Sequence, residues 1–150
     1  MKERPQEDEI AELRAELWPG DDSRLAWCAE FLEGLARALP DNAAVSGVLG
    51  ACYTDLCRYE EALATDRRTV ALDPSDAVAW YNLGCSLALL GRKEDAFAAL
   101  ERAVELGFAD PETMEGDADL ESLRETPRFD RLMRAARKMA AARQAPEGEF

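Results

Sequence analysis

The 150-residue sequence contains no histidine, and only 7% of it is aromatic. Without histidine the commonest general base is missing, together with the Ser-His and Cys-His nucleophile pairs and the usual zinc ligand, which leaves only carboxylate or lysine chemistry. No stretch approaches the ~20 apolar residues that span a bilayer. The opening residues MKERPQEDEI carry charges where a secretory signal would carry its apolar run, so a soluble, cytoplasmic protein is expected. Basic residues are few, 18 against 31 acidic, and the formal net charge of −13 repels phosphate backbones and anionic membranes unless the cations are gathered in one place. Cys28, Cys52, Cys57 and Cys85 contain no C-x-x-C pair and read as small apolar residues of a reducing compartment rather than as a disulfide framework.

Hydrophobic residues make up 47% of the chain, and Ala, Leu, Glu and Arg dominate, a balance that favours helix over sheet. A shift of 34 residues lays Leu49-Gly50 on Leu83-Gly84, and Arg58, Glu60 and Ala62 on Arg92, Glu94 and Ala96. The same shift lays Val70 and Leu72 on Val104 and Leu106, and Pro40 on Pro74. On these residues the sequence resembles the tetratricopeptide repeat family. The copy from Ala77 to Asp110 is the clearest, with Trp80, Leu83, Gly84, Leu87, Ala96 and Ala103 at the signature positions. Gly84 and Ala96 let paired helices approach closely, while Trp80, Leu83 and Leu87 form an apolar stripe at helical spacing. Gly91 stands where a left-handed cap is wanted. The copy from Ala43 to Asp76 keeps Leu49, Gly50, Tyr53, Ala62 and Pro74 but departs at Ser46 and Asp66, which is expected to weaken the contact between its helices without dissolving the hairpin.

An earlier, degenerate copy is expected over 1–42, with a first helix near Gln6 to Trp18 and a second carrying Leu25, Cys28, Leu32, Leu35 and Leu39. After Gly107 the period fails. The segment DADLESLRETPRFDRLMRAARKMAAARQ resembles an element that closes many bacterial arrays of this family, with Thr126 as helix N-cap and Pro127 at the first helical position. The expected fold class is therefore all-α: a short solenoid of antiparallel helical hairpins over 1–42, 43–76 and 77–110, a closing turn and capping helix over 111–143, and a tail at 144–150. Phe129, Leu132, Met133, Ala136 and Met139 give the capping helix one apolar face. Residues 127–143 hold six basic side chains and one acidic, so this end carries +5 and the remainder −18.

Candidates for chemistry fall away one by one. The cysteines match no zinc-ligand spacing, and Cys85 has few basic neighbours in sequence to activate it as a thiol. The acidic clusters, including Glu7-Asp8-Glu9 and Asp110 to Glu121, fall in loops or on solvent-facing stripes, Asp117-Ala-Asp119 lacks a calcium-loop continuation, and no phosphate-binding glycine loop is present. No catalytic residue, metal site or cofactor is expected. The basic stripe of Arg128, Arg131, Arg134, Arg137 and Lys138 lacks aromatic interleaving, so pairing with acids of the preceding repeat is favoured over nucleic acid or membrane contact.

The resemblance implies that the first helix of each repeat lines a peptide-binding groove. Carried over position by position, that nominates Ala44, Gly47, Ala51, Thr54 and Asp55 in one repeat and Val78, Tyr81, Asn82, Cys85, Ala88 and Leu89 in the next. Neither first helix carries a basic residue, which disfavours a C-terminal dicarboxylate ligand and favours an apolar or basic peptide of another protein. The competing expectation is that the chain's own terminal helices cover Tyr81 and Leu89. The implied function is a non-catalytic adaptor of bacterial type. A holding chaperone for an exported or aggregation-prone client, and a structural piece in which exposed repeat edges pair two copies, are the alternatives.

Overall fold

The computed structural model describes residues 21–145; the expected first helix near Gln6 to Trp18 and most of the tail lie outside them. Seven α-helices and one 3-10 helix follow in order, with no strand among the described residues. They are α1 (Asp21–Ala38), α2 (Ala43–Asp55), α3 (Tyr59–Leu72), α4 (Ala77–Leu89), α5 (Lys93–Glu105), α6 (Pro111–Gly116), a 3-10 turn (Ala118–Leu123) and α7 (Pro127–Gln144). Neighbours in sequence lie against one another, α2 with α3 and α4 with α5 forming two antiparallel hairpins.

Local chemistry sets the hairpin boundaries. Asn42 caps α2 by accepting from the Val45 amide at 3.0 Å, and Asp76 caps α4 by accepting from Val78 at 2.9 Å. Three helices end in the same motif, in which a left-handed residue turns the chain and two amides return to orphan carbonyls. After α4 the motif uses Gly91 (φ 73°), with Arg92 N–H donating to the Leu87 carbonyl at 2.9 Å. After α2 it uses Cys57 (φ 57°), with Arg58 N–H donating to Tyr53 at 2.8 Å. The first hairpin thus turns through a conformation that costs a side-chain-bearing residue about 1–2 kcal/mol.

The two repeats cross by different chemistry. In α4–α5 a Cβ added to Gly84 would lie 2.6 Å from Leu100 Cγ, so only glycine admits this apolar crossing. One repeat earlier Gly50 and Asp66 occupy the same two places, and a Cβ on Gly50 would lie 2.3 Å from Asp66 Oδ1. Asp66 is 2% exposed and accepts from Ser86 Oγ at 2.6 Å. Ser46, where the later repeat has Trp80, shares a 2.8 Å hydrogen bond with Thr69, where the later repeat has Ala103. The departures at Ser46 and Asp66 therefore form a hydrogen-bonded polar seam, and the hairpin is intact.

That seam runs beside two apolar clusters. The larger takes in α4, α5, the closing turn and α7, with Leu100, Met114, Leu120 and Leu123 fully buried. The smaller joins α1 to the first hairpin through Ala29, Leu49, Cys52, Tyr53 and Ala62. Thr126 caps α7 by accepting from the Phe129 amide at 3.2 Å, and Phe129, Leu132, Met133 and Ala136 are buried, so α7 covers the end of the last repeat as its apolar face requires. Arg128 fastens it, donating to Glu101 at 2.8 Å and Glu94 at 2.7 Å and lying over the Phe97 ring.

Candidate peptide-binding surface

Helices α2 and α4 present the surface on which the expected groove residues lie. On α2 the residues Ala44, Val48, Ala51 and Asp55 recur at four- and three-residue steps and are exposed. Gly47 and Thr54 are half-buried beside them; Thr54 donates its hydroxyl back to the Gly50 carbonyl at 3.2 Å. On α4 Val78 is exposed, and Asn82 and Leu89 are half-buried. Val48, outside the expected set, is 57% exposed and Val78 54%, which makes them the largest open apolar side chains of this surface.

Tyr81, Cys85 and Ala88 are different. All three are buried, because the segment after α5 folds back over α4. Phe108 stacks on the Tyr81 ring with centroids 4.1 Å apart, Tyr81 Oη donates to Asp117 Oδ2 at 2.6 Å, and Ser122 Oγ donates to the Ala88 carbonyl at 3.4 Å. The lining expected from these three residues is thus corrected: the chain's own closing turn takes up that part of α4. The sequence carried one signal for it in Asp117, which opens the D-x-D-L run and also caps the 3-10 helix by accepting from the Asp119 amide at 3.0 Å. Phe108 gave none.

At the edge of the covered part the side chains of Cys85, Asp117 and Asp119 converge, their ligand atoms within 4.8 Å of one another. Burial and the two carboxylates push the Cys85 thiol far above its ordinary range, so it is a neutral S–H group aimed at Asp117 Oδ2 at 3.8 Å. Burial first, then the charges of Asp117 and Asp55, raises Asp119. With Asp117 already accepting from Tyr81 and the thiol protonated, the cluster is a hydrogen-bonded clasp on the turn. Its donors, one soft and two hard, match no common metal set. Asp55 and Asp119 leave the open α2 stripe bounded by acid at this end.

Cys28, Cys52, Cys57 and Cys85 are free thiols; Cys57 is exposed, Cys28 partly buried, and the other two buried. No described helix is long and apolar enough to cross a membrane.

Stacked antiparallel hairpins with a shared first-helix face and a capped end define a helical-repeat scaffold. Residues 77–107 match the tetratricopeptide repeat family model, so the chain carries a tetratricopeptide repeat, a module that generally serves protein–protein contact without catalysis. It is 34% identical over 80 residues to a chloroplastic protein of Arabidopsis thaliana, a stretch that covers 51% of this chain and 24% of that protein. The chain therefore spans about a quarter of the length of that relative. The crystal structure of MamA superposes with a TM-score of 0.65 at 18% identity, over 92% of this chain and 77% of that one. A MamA RS-1 ArsTM double mutant gives 0.64 at 17%, over 93% and 87%. At these identities the MamA likeness speaks for the fold.

Proposed function

We propose that the protein is a non-catalytic adaptor that captures a peptide segment of a partner protein on the open α2–α4 surface. The observation that carries this reading is the exposed apolar stripe of Ala44, Val48, Ala51 and Val78, ending at the carboxylates of Asp55 and Asp119. An apolar segment with a lysine or arginine at one end matches both features: its apolar side chains cover the valines, and its cation meets acids that no described arginine or lysine pairs with. The free thiols fit work in a reducing, cytoplasmic setting. Tyr81, Cys85 and Ala88 support the surface from below.

The test is capture of an identified partner by the chain and by two variants. Val48→Glu/Val78→Glu alters only exposed positions and should weaken capture at least tenfold with the helical circular-dichroism signal unchanged. Asp55→Lys should weaken it and remove its dependence on salt. Undiminished capture by both variants would refute the reading.

A further inference from the structure

Two of the four free thiols, Cys28 and Cys52, belong to the smaller apolar cluster, where α1 packs on α2. Cys52 is buried within it and Cys28 is partly buried against it. The Cys52 thiol donates to the Leu25 carbonyl at 3.4 Å, which places its sulfur on the turn of α1 that carries Cys28 three residues on. After burial, the group that raises the Cys52 thiol most is Cys28, ahead of Asp55 on the same helix as Cys52. Electrostatic influence falls with distance, so the two sulfurs lie close.

The repeat supports the same crossing independently. A shift of 34 residues lays Cys28 on Ala62 and Cys52 on Ser86. Ala62 and Ser86 are both fully buried, and Ser86 Oγ donates to Asp66, one turn along α3 from Ala62. The corresponding contact thus joins the same two helix faces one repeat later, and small side chains at both places let the backbones approach. A disulfide requires that approach, since its Cα atoms stand about 4.4–6.8 Å apart. Cys57 is exposed at the turn after α2, and Cys85 is held against Asp117 beneath the closing turn, so neither shares this contact.

We propose that Cys28 and Cys52 are a peroxide-responsive pair that closes to a reversible disulfide between α1 and α2. Cys28, the more accessible thiol, reacts first. Its sulfur attacks one oxygen of hydrogen peroxide, the O–O bond breaks, and Cys28 becomes a sulfenic acid while the thiol proton leaves with the second oxygen as water. The Cys52 sulfur then attacks the Cys28 sulfur, the S–O bond breaks, and the departing hydroxide takes the Cys52 proton as a second water. Each sulfur gives up one electron, and the peroxide takes the pair. Burial makes Cys52 the slower thiol toward solution oxidants, and its fixed place beside Cys28 makes it the resolving one. A small dithiol reopens the bridge by exchange. The bridge joins residues 24 apart in sequence and ties α1 to the first hairpin, at the end held by the smaller cluster.

The experiment treats the native full chain with a small excess of hydrogen peroxide, blocks the remaining thiols, and maps the peptides by mass spectrometry. The expected product is a chain with one Cys28–Cys52 cross-link, removed by dithiothreitol, in which Cys85 can still be alkylated after unfolding. On oxidation, hydrogen exchange in α1 should slow at least about tenfold, while α5 stays unchanged. Cys28→Ala and Cys52→Ala should each abolish both the cross-link and the slowing, whereas Cys57→Gly should keep both. The cross-link map of the parent decides the matter even where a cysteine variant folds poorly. Recovery of Cys28 and Cys52 as separate thiols or sulfinic acids overturns the proposal. So does a cross-link that forms in urea but not in the native chain, or one whose formation quickens exchange in α1.

Discussion

The buried carboxyl of Asp66 makes stability depend on pH in a direction that can be worked out in advance. Asp66 is 2% exposed and has one hydrogen-bond donor, Ser86 Oγ at 2.6 Å. Burial raises its pKa from 3.8 to about 6, the Ser86 bond opposes the rise, and no neighbouring charge of either sign contributes. The folded state therefore holds this proton about a hundredfold more tightly than the unfolded chain, a difference of about 3 kcal/mol. Because the folded-state value lies above the unfolded one, the stabilising contribution of the protonated form is complete below about pH 4. It is lost as the pH rises through about 6, where the folded state must ionise the group without a counter-charge. Asp66→Asn keeps an acceptor for Ser86 and cannot ionise. The variant should match the parent near pH 4 and exceed it at pH 7.5 by about 2–3 kcal/mol, a rise of roughly 4–12 °C in Tm for a domain of this size. Urea unfolding followed by circular dichroism at half-unit steps from pH 4 to 8, on parent and variant together, isolates the effect from every other titrating group. A stability difference that stays flat across that range would refute the reasoning, and one that grows toward low pH would reverse its sign.

Four further outcomes follow from the geometry. Gly84→Ala places a methyl group 2.6 Å from Leu100 Cγ at a fully buried crossing and should cost about 1–3 kcal/mol in denaturant unfolding; an unchanged midpoint would mean that α4 and α5 can separate without penalty. Cys57→Gly relieves a left-handed residue at an exposed turn and should gain about 0.5–1 kcal/mol, so a lower Tm would contradict the backbone account. Tyr81→Phe deletes the 2.6 Å bond to Asp117 and should cost about 1.5 kcal/mol; hydrogen exchange should quicken across 117–123 and stay unchanged in α1 and α2. Arg128→Ala frees Glu94 and Glu101 and uncovers Phe97; with the guanidinium partly exposed the loss should be about 1 kcal/mol, and proteolysis should cut first near α7.

How far the sequence could be read depended on whether a residue's role was local. Asn42, Asp76 and Thr126 cap helices through bonds that span two or three residues, so spacing alone places them. The crossing at Gly84 was legible because its partner position repeats at a fixed period. The closing of α4 was not, because it depends on Phe108 and Asp117 reaching back 27 and 36 residues to one tyrosine, and no periodic pattern encodes that pairing. The same limit explains the α2–α4 surface. Position-by-position transfer assumes that every first helix is open, whereas the last one in a capped array must lend part of its face to the cap, leaving Val48 and Val78 as the larger exposed apolar side chains.

The seam of Ser46, Thr69, Asp66 and Ser86 also changes how the two hairpins depend on one another. Where the later repeat closes its helices with Trp80, Ala103 and Leu100, the earlier one uses hydrogen bonds around a carboxyl, which add little net stability when made and cost much when broken. The larger apolar cluster lies on the cap side of this seam, and the α1 end rests on the smaller one. In a repeat array stability is a sum of local and nearest-neighbour contributions, so the α1–α2 end should open before α4, α5 and α7 do. Ionisation of Asp66 weakens the contact between the two hairpins in particular. Hydrogen exchange in α1 and α2 should therefore quicken between pH 4 and 7 beyond the intrinsic rate change, while α5 keeps its protection. Asp66→Asn should abolish that difference. Uniform loss of protection through all the helices would instead show that the seam couples the hairpins into one cooperative unit.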